Sequence, residues 1–177
     1  MGFVLVLGGA RSGKSAMAQR LAERSRTPVT VIATAEPRDE DMAERIRRHR
    51  EDRPRGWRTV EAPVDLAAAI NAAPLTDFLL VDCLTLWVSN LLEAGCDDAA
   101  IDSAAAAIAA ALAARSGVVV TNEVGLGVVP ANELARRFQD ALGRVNATFA
   151  QSADRALLMV AGLALELAAI DSPARKQ

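Results

Sequence analysis

The stretch FVLVLGGARSGKSAMAQRLAER constrains the fold more than any other. Residues 3–8 form a continuous apolar run of the kind found in a buried parallel strand. The run enters Gly8, Gly9, Ala10, Arg11, Ser12, Gly13, Lys14 and Ser15, which satisfy the spacing G-x-x-x-x-G-K-[ST] in full. A helical pattern follows over 14–24, with Ala18, Leu21 and Ala22 on its inner face. Strand, glycine loop and helix is the setting in which this spacing cradles phosphate. The glycines let the backbone curl with its N–H groups inward, and the helix start adds its positive end. In such a loop Lys14 reaches the β- and γ-phosphates, and the Ser15 hydroxyl binds Mg²⁺.

The rest of the chain repeats the alternation. Strands are expected at 30–34, 57–62, 78–82, 117–121 and 155–162. Helices are expected from Asp39 to about His49, and near 64–72, 84–94, 98–115 and 130–152. Asp39 suits an N-cap, Pro54 ends its helix, and Pro130 suits a first helical turn. The alanine-rich segment after Ser103 is a plain helix former, with Ile101, Ile108 and Leu112 marking one face. Apolar strands alternating with helices predict an α/β fold, a mostly parallel sheet covered on both faces. No linker divides the 177 residues, so one domain over 1–177 is expected.

Composition excludes several classes. A net charge of -2, no tyrosine and 3 per cent aromatics argue against a nucleic-acid-binding ATPase with stacking aromatics. The apolar start lacks a basic leader, and the run 104–114 is too short to span a bilayer, so no direct membrane insertion is expected. Cys83 and Cys96 have no metal-type spacing and read as reduced thiols of a cytoplasmic protein.

Positive charge is concentrated locally. Seven arginines fall between Arg45 and Arg58, and the only histidine, His49, lies among them. Two readings stand for RIRRHRE: a solvated basic helix face, or a nucleophilic imidazole beside a triphosphate site. In the second, the arginines hold the triphosphate and disfavour a further positive charge on the ring. Asp82 ends the strand FLLVD, where an acid sits beside Mg²⁺ and phosphates or caps the next helix. Glu61, at the end of WRTVE, is either an exposed acid or an acceptor for a guanine edge or ribose hydroxyl. Glu123 follows a strand directly and, in a functional reading, orients the substrate hydroxyl or a metal-bound water. Gly125 and Gly127 make either a lid or an ordinary turn.

The order GGARSGKS, IATAEPRDEDMAERIRRHREDRPRGWRTVEAP, LLVDCLTLWVSNLL and TNEVGLGVVP with LARRFQDALGRVN resembles one family over nearly the whole chain. It is the bifunctional adenosylcobinamide kinase / adenosylcobinamide-phosphate guanylyltransferase family of cobalamin biosynthesis. The resemblance implies a RecA-like P-loop NTPase fold. It implies phosphorylation of adenosylcobinamide with ATP or GTP, then transfer of GMP from GTP to adenosylcobinamide phosphate through a guanylyl-histidine. His49 falls on the guanylylated position. Nucleotide contacts fall on Gly8 to Ser15, on Ala33, Thr34 and Ala35, on Arg50, Glu51, Asp52 and Arg53, and on Glu61 and Asp82, with Ser15 and Asp82 at Mg²⁺. A homotrimer with its site near a subunit boundary is also implied. The segment Asp39-Glu40-Asp41-Met42 and the aspartate at 82 depart slightly from the family pattern, but both keep their carboxylates.

Overall fold

A computed structural model describes residues 2–168. In chain order the elements are β1 (Phe3–Gly8), α1 (Lys14–Arg24), β2 (Val29–Ala33), α2 (Glu40–Glu51), β3 (Arg58–Glu61) and α3 (Leu66–Ala72). Then come β4 (Phe78–Asp82), α4 (Leu84–Glu93), α5 (Asp98–Ala113), β5 (Gly117–Val120), α6 (Glu133–Ser152), β6 (Arg155–Val160) and β7 (Leu163–Leu167).

The strands form one sheet in the order β3-β2-β4-β5-β1-β6-β7. Every neighbouring pair is parallel except β6 with β7. The period-2 alternation of strands puts the two sides of β1 into separate cores. Phe3, Leu5 and Leu7 face α3 to α6, where Trp87, Ile101, Leu112, Leu142 and Phe149 are buried. Val6 faces the other side and packs with Ala18 and Ala22 of α1 and with Val31, Leu80, Val118 and Val120. Helices therefore cover both faces, as the alternating pattern predicts.

The parallel strands β1, β2, β3, β4 and β5 all end at one edge, and that edge carries the phosphate loop. α2 lies there with no buried residue. It is held by local chemistry instead. Asp39 accepts from Met42 N at 2.6 Å, and Arg47 bridges Glu44 and Glu51.

Two expectations change. Pro130 is not in a helix: α6 begins at Glu133, because Asn132 Oδ1 accepts from Ala135 N at 2.7 Å and caps it. β7 has no counterpart among the expected strands. Ala161 and Gly162, with φ of 51° and 81°, turn the chain back so that β7 pairs antiparallel with β6.

Candidate active site

The phosphate loop is set by close approach. A Cβ on Gly8 would stand 2.6 Å from both Met159 O and Ser12 Oγ, so no other residue fits without movement. Gly13 is the N-cap of α1 with φ 97°, a left-handed conformation that glycine adopts without penalty. No side chain caps α1, so its first N–H groups stay open toward the loop. Lys14 Nζ donates to Gly9 O at 2.6 Å. Burial pushes the Lys14 ammonium below its ordinary value, and Arg45 adds to that, while Cys83 and Asp82 oppose it. The Ser12 hydroxyl is buried and has no hydrogen-bond partner among the described residues.

Ala10 to Ser15 line a cavity of about 650 Å³, together with Arg45, Arg48, His49, Asp52, Asp82, Thr85 and Asn122. The last two turns of α2 therefore reach the cavity of the phosphate loop. His49 Nδ1 lies 3.6 Å from Asp82 Oδ2. Arg53 Nη2 lies 3.9 Å from the same oxygen, and Arg53 Nη1 donates to Thr59 Oγ1 at 3.2 Å. The imidazole thus faces a carboxylate as well as arginines, a balance that the run RIRRHRE does not reveal.

A second, smaller cavity also has His49 in its lining. Ala33, Ala35, Arg50, Arg53, Glu61, Asp82 and Cys83 contribute to it. Arg50 and Glu61 form an ion pair that joins the end of α2 to the end of β3. Cys83 faces both cavities; desolvation, with help from the Asp82 charge, pushes its thiol up to about 11.

The remaining candidate residues separate into two groups. Thr34 is buried, and its hydroxyl donates to Cys83 O at 2.7 Å and accepts from Cys83 N at 2.8 Å. It fixes the segment after β4 and does not open onto a cavity. Glu51 turns away and accepts from Arg47. Asp82 does not cap α4, whose N-cap is Cys83 with no side-chain bond. Glu123 Oε1 accepts from Gly125 N at 2.7 Å and stabilises its own loop.

Sequence reasoning missed Thr85, Asn90 and Asn122. Asn90 Nδ2 donates to Thr34 O and Pro63 O, both at 2.8 Å, and so ties α4 to the strand ends. Its signal was a polar residue inside the apolar run LTLWVSNLL. Asp82 and Ser15 line the phosphate-loop cavity together. Two hard oxygen donors beside a phosphate site suit Mg²⁺, which keeps few protein ligands and completes its shell with water and phosphate.

The parallel sheet, the glycine loop and the acid at the end of β4 define a P-loop NTPase fold. The P4 protein from bacteriophage phi6, solved in complex with ADP, shares this architecture with a TM-score of 0.51 at 19% identity, covering 93% of this chain and 54% of that one. Residues 4–167 match the family described as cobinamide kinase / cobinamide phosphate guanyltransferase, and the chain belongs to that family of transferases. It is 47% identical over 167 residues to the bifunctional adenosylcobalamin biosynthesis protein CobP of Pseudomonas aeruginosa, covering 92% of this chain and 95% of the relative. The bifunctional adenosylcobalamin biosynthesis protein CobU of Salmonella typhimurium is 41% identical over 180 residues, covering 93% and 98%.

Proposed function

We propose that this chain phosphorylates adenosylcobinamide with ATP or GTP, and then guanylylates the product through a GMP adduct on His49. Both steps would run in one domain. The observation that carries the reading is the place of His49, which lines both the phosphate-loop cavity and the cavity of Arg50, Arg53 and Glu61.

In the first step the substrate hydroxyl oxygen attacks the γ-phosphorus. The O–P bond forms, the bond to the β,γ-bridging oxygen breaks, and the nucleoside diphosphate leaves with the electron pair. The hydroxyl proton passes to water. Lys14, Arg45 and Arg48 line this cavity and would supply positive charge where negative charge gathers. Ser15 and Asp82 would hold Mg²⁺, which when bound neutralises phosphate oxygens.

In the second step His49 attacks the α-phosphorus of GTP. Asp82 stands at Nδ1, which favours the tautomer with its proton there and leaves the Nε2 lone pair as nucleophile. The N–P bond forms, and pyrophosphate leaves with the electrons of the α,β-bridging bond. A phosphate oxygen of adenosylcobinamide phosphate then attacks the same phosphorus. The N–P bond breaks, the imidazole is restored, and adenosylcobinamide-GDP forms. Ala33, Ala35, Arg50, Asp52, Arg53 and Glu61 are the further nucleotide contacts in this reading. We assign the protein to the cytoplasm, as a homotrimer without a nucleic-acid partner. No helix among the described residues is long and apolar enough to cross a membrane.

The test uses GTP labelled at the α-phosphate, with Mg²⁺. The expected result is an acid-labile, alkali-stable protein adduct that disappears in His49→Ala. Label retained by that variant would overturn the histidine assignment. Cobinamide phosphorylation without any adduct would reduce the protein to a kinase.

A further inference from the structure

α2 carries a row of arginines to the site, and ion pairs engage most of them. Arg47 pairs with Glu44 and Glu51, and Arg48 with Glu44 at 3.5 Å. Arg50 pairs with Glu61. Just past the helix, Arg53 lies 3.9 Å from Asp82 Oδ2 and donates to Thr59 Oγ1. Arg45 differs from all of these. It is exposed, and its side chain makes no ion pair or hydrogen bond among the described residues.

Arg45 also shares the place of His49. Five of the described residues line both cavities: Arg45, His49, Asp82, Cys83 and Leu86. Asp82 brings a carboxylate to that set, and Arg45 brings its guanidinium. Arg45 stands one helical turn before the histidine, on the same face of α2, where side chains are neighbours. Burial lowers the Lys14 ammonium most, and Arg45 lowers it further, so the two cations lie within electrostatic reach of each other.

The proposed guanylyl transfer needs a cation at this place. The phosphoryl group meets His49 Nε2 twice, once as the N–P bond forms and once as it breaks. Each time its non-bridging oxygens carry negative charge into a site that already holds the Asp82 carboxylate, 3.6 Å from Nδ1. Arg50 and Arg53 are engaged with carboxylates of the site itself. A free guanidinium one turn from the nucleophile is placed to meet that charge with directed donors.

We propose that Arg45 is a catalytic residue of the guanylyl transfer, its guanidinium donating to a non-bridging oxygen of the phosphoryl group as that group joins and leaves His49. The inference rests on the guanylyl-histidine reading above. No bond to Arg45 forms or breaks. Nε2–P forms while the α,β-bridging O–P bond breaks, pyrophosphate takes the electron pair, and the arginine keeps its protons.

The experiment measures the rate of adduct formation, with Mg²⁺, from GTP and from GTP with sulfur in place of one non-bridging α-phosphoryl oxygen. The two diastereomers of the sulfur compound are used separately, because each places the weaker acceptor at a different oxygen. The proteins are wild type, Arg45→Ala and Arg45→Lys, with folding checked by circular dichroism. Arg45→Ala should load GTP about a hundredfold more slowly, the size of a lost donor to a transition-state oxygen. Wild type should load one diastereomer about tenfold or more slower than the other, as a weakened bond between charged groups implies. That ratio should fall toward one in Arg45→Ala, because the contact that sulfur weakens is already gone. If the alanine variant loads too slowly to measure, Arg45→Lys decides: a ratio nearer one than wild type supports the contact, and the wild-type ratio overturns it. Loading of GTP by Arg45→Ala at the wild-type rate overturns the inference. So do equal rates of the two diastereomers in wild type, or a slow alanine variant that keeps the wild-type ratio. In these cases the wild-type adduct keeps the histidine reading intact. Wild type that forms no adduct overturns both.

Discussion

Lys14 spends its ammonium on Gly9 O, so an arriving phosphate must outcompete that carbonyl. Lys14→Ala should weaken triphosphate binding by about a hundredfold or more, since a charge-assisted contact is among the strongest a loop can offer. Equilibrium titration checks this. Cys83 gives a pH prediction with a definite sign. Its folded pKa, pushed up to about 11, lies above the ordinary thiol value. Between roughly pH 8.5 and 11 the unfolded chain loses this proton before the folded one does, so the site's contribution to stability falls as pH rises. Below that range the contribution is fully present. Denaturant unfolding at pH 8 and pH 10.5 should show a smaller drop for Cys83→Ala than for wild type. At this scale the loop was legible, because glycine, lysine and serine are demanded by local geometry alone. Asn122 was not. Its place at the cavity depends on Thr85 and Asn146, which lie 37 and 24 residues away and show nothing unusual locally.

α2 reaches the site without entering the core, and its boundaries follow from Asp39 as N-cap and the charge pairs along it. A helix with no buried residue opens at low free energy. Its amides should exchange faster than those of α4 and α5, by hydrogen-exchange mass spectrometry. Asp39→Ala should speed that exchange further, by removing about 1 kcal/mol of cap. Asn90 works in the opposite direction. Replacing it with alanine leaves the Thr34 and Pro63 carbonyls without their shared donor, and should cost about 2–3 kcal/mol in chemical denaturation. The central strands were legible because burial on both faces leaves an unbroken apolar run. β7 was not, because Leu163, Leu165 and Leu167 remain exposed in the chain and no buried face marks the segment as a strand.

Among the described residues, the exposed apolar side chains include Leu126 with Val128 and Val129 in the loop after β5, and the leucines of β7 with Val160. Surface of this kind fits a protein that assembles with copies of itself. Three copies of the 18.6 kDa chain give about 56 kDa, which light scattering on the eluted protein should return. A mass near one chain at micromolar concentration would remove the trimer. The position of the site at the carboxyl edge of the parallel strands was legible from strand order of appearance and the glycine loop. The convergence of α2 on that edge was not, since nothing local in RIRRHRE specifies which end of the sheet it meets.

His49 contributes to the walls of both cavities. That shared wall sets a rule of traffic for the proposed cycle. While GMP is attached to the imidazole, neither chamber has its full lining free, so a small inhibitor lodged in either one should antagonise adduct formation. Two such compounds, one per chamber, would then shut down loading and discharge together.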